Sequence, residues 1–409
     1  MDGSIATSLD HLQTVFDRQK QAFSFANVPS VKERKEMLKR LEQLFAGHKD
    51  DLVTSIGKDF GTRSPMETLS AEVAMSVINA RQIRKNLDDW ARKRRVWNHS
   101  SIPGKTYVRY EPKGVVGVIA PWNYPFQLAA IPLTTALAAG NSVMLKPSEI
   151  APYTADFMKE MFAKEFDETQ VAVVTGGPEV GEAFSSLPFD HLFYTGSTQV
   201  GRLVAMAAAK NLTPVTLELG GKSPTILLDD ADVEKSAQTI AMGKFYNAGQ
   251  TCVAPDYLLV PQGKGEAYAS AIIDAVTEFY PEIADNEDYS SIVSDRHYVR
   301  MNDMIDEAGK NGGAVRQAEA DKQKMSSARK VPPTVILNPP AESKVMQEEI
   351  FGPILPILEV GSTDEAVAHV TARDHPLALY AYSNNEKAAE AVLDKTTSGG
   401  ACINGTLMH

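Results

Sequence analysis

The chain has 409 residues, enough for two domains on an allowance of roughly 150 residues each and for a core that needs no disulfide or metal clip. With 43% apolar and 23% charged residues, and 27 Gly and 23 Pro spread along it, the composition excludes a disordered or fibrous chain. A net charge of −11 argues against a nucleic-acid partner, which would need a basic footprint.

The concentrated basic stretch Arg92 to Arg95 follows an amphipathic run and reads as a solvated helix end. Cys252 and Cys402 are too few for a disulfide framework and lack the spacing of a zinc site, so no metal is expected and a reducing compartment is. The opening Met-Asp-Gly-Ser shows no basic-then-apolar signal, and the apolar runs at Val115 to Ala120 and Ile131 to Gly140 are too short to span a bilayer. The expectation is a cytoplasmic protein with no membrane partner.

The first hundred residues predict helices. Ser30 with Glu33 forms a capping box ahead of Met37, Leu38, Leu41, Leu44 and Phe45 at helical spacing. Ser64-Pro65-Met66-Glu67 repeats the device and opens a helix through Leu69, Val73 and Val77 towards Leu87. These read as packing elements without chemistry. A period-two strand follows at Thr106 to Tyr110, within a bridging element of about 102–112, and then the buried run Val115 to Ala120.

From there short apolar strands alternate with helical patterns: Ser142 to Leu145, Val171 to Thr175, His191 to Tyr194 and Pro214 to Leu219. That alternation predicts βαβ units and a parallel sheet. After Gly220-Gly221 a second series begins, with strands at Thr225 to Leu228, Tyr257 to Val260, Thr334 to Leu337 and Ile354 to Val360, and helices after Asp232 and from Glu266. The polar segment Ala314 to Lys330 reads as solvated surface. The predicted fold is α/β with two doubly wound parallel-sheet domains, 1–219 and 220–409.

Several residues offer chemistry. Cys252 ends Asn247-Ala248-Gly249-Gln250-Thr251-Cys252, a run with no apolar periodicity, which places the thiol in a loop where substrate can approach; an isolated Cys also fits a small core residue. Glu218 lies in a strand whose period sets Thr216 and Glu218 on one face, so its carboxylate is either paired structurally or kept for proton transfer. Its place at a strand end beside Gly220 favours function. Gly196-Ser197-Thr198-Gln199-Val200-Gly201 opens a helix after a strand, where amides face an anion, though a plain turn would look the same. Pro121-Trp122-Asn123-Tyr124-Pro125 and Lys146-Pro147-Ser148-Glu149 follow two further strands.

Taken together, these motifs resemble the aldehyde dehydrogenase superfamily, in order from Pro121 to Asn404. Within it, Cys252-Val253-Ala254-Pro255-Asp256-Tyr257 and the short helical N-terminus are most similar to the fatty and aromatic aldehyde branch, which includes the coniferyl aldehyde dehydrogenases. The resemblance implies Rossmann-like cofactor binding in 1–219 and catalysis in 220–409. It implies oxidation of an aldehyde, aromatic or of medium chain length, to the acid through a cysteine thiohemiacetal and thioester. Cys252 would be the nucleophile, Asn123 an oxyanion donor and Glu218 the base for the hydrolytic water.

Cofactor contacts would come from Trp122, Lys146, Glu149, Gly196, Ser197, Gly201, Leu219, Glu349 and Phe351, the last two within Glu348-Glu349-Ile350-Phe351-Gly352-Pro353. A carboxylate at Glu149 would accept from a ribose 2′-hydroxyl and repel a 2′-phosphate, which favours NAD, with NADP as the other possibility. Family members pair as homodimers. Their chains continue past the Ile403-Asn404 strand through a Pro-Phe-Gly-Gly segment and a terminal arm, whereas this sequence stops at His409. Two alternatives therefore stand beside the leading reading: a catalytically impaired cofactor-binding homologue, and an acylating enzyme that passes the acyl group to coenzyme A.

Overall fold

The computed structural model describes residues 6–97 and 104–409. It divides into two compact units. One comprises the chain up to Asp59 together with Thr68–Glu218; the other joins Phe60–Glu67 to Leu219–His409.

The first unit is built on a five-stranded sheet in the order Val171–Val173, Ser142–Lys146, Val115–Ile119, His191–Gly196, Val215–Leu219. Val115–Ile119 pairs in parallel with the strands on either side, which is why its sequence is a continuous apolar run and not an alternating one. Gly117 interrupts that run because a Cβ there would lie 2.7 Å from the Phe189 ring. Val215–Leu219, which the sequence suggested was buried, is instead the half-exposed edge strand.

Several helices of this unit start on side-chain caps. The Ser30 hydroxyl accepts from the Glu33 amide at 3.3 Å and the Glu33 carboxylate accepts from the Ser30 amide at 2.8 Å, completing the expected capping box. Asp59 caps the Pro152–Glu165 helix by accepting from the amides of Tyr153 and Thr154 at 2.9 and 3.0 Å. Burial holds the Asp59 carboxyl up at about 6 despite those bonds.

A small antiparallel pair joins Arg94–Val96 to Thr106–Val108, every residue of it exposed. It corrects one expectation: the preceding helix ends at Trp90, and Arg94 and Arg95 belong to a strand and not to a helix end. Residues 102 and 103 of the anticipated bridging element, and the Met-Asp-Gly-Ser start, lie outside the described residues.

The second unit carries a seven-stranded sheet ordered Ala314–Gln317, Thr334–Leu337, Ile354–Val360, Tyr257–Pro261, Pro224–Leu227, Ala378–Tyr382, Gly400–Ile403. All pairings are parallel except that of Ala314–Gln317 with Thr334–Leu337. The Ala314 to Lys330 region is thus an antiparallel edge strand and a short helix, Lys322–Ser327, with Met325 in the core. Its polarity is that of a strand paired on one side only. Among the described residues, no helix is long and apolar enough to cross a membrane.

Candidate active site

In the first unit, four motifs stand at the carboxyl ends of sheet strands, the edge where open α/β sheets bind ligands. Trp122 and Asn123 sit in the turn after Val115–Ile119, with Asn123 only 2% exposed. The turn is fixed by the buried Glu72, whose carboxylate accepts from the amides of Phe126 and Gln127 at 2.8 and 3.0 Å. Phe126 is a core side chain, edge-on to Phe45.

Lys146 ends its strand in the interior, and its ammonium donates to Glu149 at 2.6 Å. Pro147, Ser148 and Glu149 line a cavity of about 150 Å³ together with Thr175, Gly176 and Gly177. At the next strand end Tyr194 donates to the Ser197 carbonyl at 3.2 Å, and a Cβ on Gly196 would meet that phenol at 2.3 Å. Ser197 caps the Thr198–Ala209 helix, and Gly201 is buried in its first turns. An exposed carboxylate beside an ammonium, a glycine-lined cavity and a helix N-terminus form a donor and acceptor set that fits a dinucleotide. Glu218 is the exposed residue near the end of the edge strand.

In the second unit, Cys252 follows a turn that the chain makes at a cost. Asn247 and Ala248 both have φ 50° and ψ 34°, left-handed values costing a non-glycine residue roughly 1–2 kcal/mol each. Gly249 continues at φ 74°, and a Cβ on it would lie 2.3 Å from the Gly352 carbonyl, so only glycine fits between the two segments.

Gln250, fully buried, pins the turn. Its side-chain nitrogen donates to the carbonyls of Asn247 and Ser291, both at 3.0 Å, and its oxygen accepts from the Val293 amide at 3.0 Å. The Cys252 thiol is half-buried and outside any disulfide, as the loop reading required. Phe351, at φ 53°, and Glu349 belong to the segment against which Gly249 packs.

Charge is concentrated beneath this loop. Lys222 is ion-paired to Asp256 and also donates to the carbonyls of Val345 and Glu348 at 2.7 and 2.9 Å. Lys244 is fully buried, its Nζ lacks a hydrogen-bond partner, and burial lowers its ammonium to about 8. Glu349 approaches so closely that a Cβ on Gly220 would lie 2.2 Å from its carboxylate. Burial pushes the Glu349 carboxyl up to about 7, reinforced by Asp256 and opposed by the Gly221 amide, Lys222 and Arg300.

This shift has a sign. An acid whose folded pKa is raised above its ordinary 4.5 holds a proton in the folded chain that the unfolded chain has lost, so stability falls as pH rises from 4.5 through about 7. Glu349→Gln removes that dependence. The variant's melting temperature should therefore gain on the parent's between about pH 5 and about pH 8, then level off. Thermal unfolding at a series of pH values checks it, and a flat difference would mean that the carboxyl titrates normally.

Cys252 lies in a loop and Glu218 near the end of a strand, as their local sequence suggested. The supporting carboxylates were not anticipated. Glu67 and Glu72 come from the stretch read as mere packing, yet both accept backbone amides of motif loops. The available signal was a pair of carboxylates in a segment otherwise suited to burial; the π-helical turn Thr68–Ala74 that follows Glu67 has no simple sequence signature.

The comparisons agree with this architecture. The model of the aldehyde dehydrogenase family matches residues 6–409. A probable coniferyl aldehyde dehydrogenase of Caulobacter vibrioides is 45% identical over 404 residues, covering 97% of this chain and 83% of that protein. The dimeric NADP-preferring aldehyde dehydrogenase of Rattus norvegicus is 39% identical, covering 96% of this chain and 85% of that one. Among solved structures, Staphylococcus aureus AldH in a substrate-bound state superposes with a TM-score of 0.91 at 38% identity, over 97% of this chain and 86% of the other.

The chain belongs to the aldehyde dehydrogenase family. It is an oxidoreductase that converts an aldehyde to an acid with NAD(P)+ by the family's cysteine chemistry.

Proposed function

We propose that this enzyme oxidises an aromatic aldehyde of the cinnamyl type, such as coniferyl aldehyde, with Cys252 as nucleophile and NAD+ as the preferred cofactor. The observation that carries the assignment is the Cys252 loop: a half-buried thiol after three consecutive left-handed residues, a strained turn kept where a side chain must be aimed. The Cys252 thiolate adds to the carbonyl carbon and forms a thiohemiacetal. Asn123 supplies an amide donor to the oxyanion, a contact worth roughly 3–4 kcal/mol in comparable sites. Bound NAD+ supplies the hydride acceptor. The thioester left on Cys252 is hydrolysed by water that gives its proton to Glu218, and the carboxylic acid departs.

The first unit is proposed as the cofactor domain and the second as the catalytic one. Lys146 and Glu149 are assigned to the adenine ribose, Gly196, Ser197 and Gly201 to the pyrophosphate, Glu349 to the nicotinamide ribose, and Trp122, Leu219 and Phe351 to the rest of the cofactor. Lys146 already neutralises part of Glu149, yet the exposed carboxylate still disfavours a 2′-phosphate.

Pairing of two copies is supported by the Thr198–Ala209 helix, which exposes Val200, Leu203 and Met206 at 45%, 61% and 68% next to an open sheet edge. A cytoplasmic location fits two cysteines that lie outside any disulfide.

The test is a panel of aliphatic, benzylic and cinnamyl aldehydes compared by kcat/KM with each cofactor. Cinnamyl substrates should lead, and NAD+ should exceed NADP+ by about tenfold, the effect of roughly 1.4 kcal/mol. Equal or higher efficiency with NADP+ would remove Glu149 from the specificity argument, and a leading aliphatic substrate would overturn the aromatic assignment.

A further inference from the structure

We infer that Glu67 is a positioning residue for the nucleophile, holding the turn that aims Cys252. Within the second unit, the strap Phe60–Glu67 brings this buried carboxylate against the Asn247 backbone, whose amide donates to its two oxygens at 3.0 and 3.2 Å. Asn247 is the first of the three left-handed residues that lead to Cys252. A carboxylate fixed there resists relaxation of the turn towards ordinary backbone angles.

Glu67 is itself located from several sides. The Ser290 hydroxyl donates to Oε2 at 3.2 Å, and the interior Arg63 guanidinium lies 3.6 Å from the same oxygen. Ser64 donates to Asp288 at 2.6 Å, and Arg329 donates to the Phe60 carbonyl at 2.9 Å, so the strap is anchored at both ends. The anchors on the strap and those on Gln250 converge on the same turn, at the amide and the carbonyl of Asn247. Glu67 acts through the backbone of Asn247. Its second role, as counter-charge to Arg63, is separable because charge and reach depend on different features of the side chain.

Two variants separate them. Glu67→Asp keeps the charge opposite Arg63 but withdraws the carboxylate by one methylene from the Asn247 amide. Glu67→Gln keeps the reach, with an amide oxygen still accepting from Asn247, and removes the charge. The readouts are the rate of the NADH burst and the rate at which iodoacetamide alkylates Cys252, assigned by peptide mass spectrometry because Cys402 is a second thiol. Glu67→Asp should slow both by about 10- to 100-fold, the scale of a misplacement near 1 Å, with KM for NAD+ within about threefold of the parent. Glu67→Gln should lower the melting temperature yet keep both rates within about threefold.

Parental rates in Glu67→Asp, or larger rate losses in Glu67→Gln than in Glu67→Asp, would overturn the inference. Should Glu67→Asp not fold, Glu67→Gln assayed well below its melting temperature decides: rates kept uphold the inference, rates lost refute it. The inference rests on Cys252 being the nucleophile. Failure of that premise appears as turnover in Cys252→Ala, whereas failure of the positioning role appears as an unchanged alkylation rate.

Discussion

Cys252→Ala is expected to abolish aldehyde oxidation, with kcat lower by on the order of 10⁵-fold or more, the scale seen when a covalent nucleophile is deleted. No NADH burst should precede the loss, because without the sulfur there is no thiohemiacetal whose collapse releases a hydride. Binding of NAD+ should be close to the parent's, since the proposed cofactor contacts lie mainly on Lys146, Glu149, Gly196 and Ser197, all in the other unit. Fold stability should change little: the thiol is half-buried, and its truncation removes one atom from a loop held by Gln250. Rapid mixing with aldehyde and cofactor, with cofactor affinity from fluorescence quenching, checks both parts. A burst of one NADH per chain in the variant would place the nucleophile elsewhere.

Glu218→Gln separates the two halves of the reaction. The first turnover should still yield one NADH per chain, and steady turnover should fall by about 10²- to 10⁴-fold, the usual contribution of a general base. The glutamine is nearly isosteric and the position is exposed, so the strand should pair as before. Exposure suits the role, because the residue must meet water. If steady turnover persists, hydrolysis does not depend on this carboxylate. If coenzyme A restores turnover in the variant and accelerates the parent, the acylating reading takes the place of the hydrolytic one.

Both predictions rest on residues legible in the sequence, and the reason is local. The run from Asn247 to Cys252 announces a loop because it has neither helical nor alternating periodicity, and the strand around Glu218 announces its faces through period two. The strands Thr334–Leu337 and Ile354–Val360 have the ends their apolar runs suggested, because strands flanked on both sides are apolar over most of their length. The Ala314–Gln317 strand is solvated surface as its composition suggested, but its pairing was not legible for the converse reason: an antiparallel edge strand satisfies its backbone on one side only and tolerates the polar composition of a loop.

The sequence by itself determined the two series of strand and helix, the capping box at Ser30 and the thiol and carboxylates of the proposed chemistry, all of which depend on neighbours a few residues apart. Tertiary structure alone decided that Phe60–Glu67 belongs with the second unit, that the Glu67 carboxylate meets the Asn247 amide 180 positions along the chain, and that Glu349 is desolvated beside Gly220. A hydrogen bond or a desolvation depends on distance in space and on the loss of water, and neither leaves a period in the order of the residues.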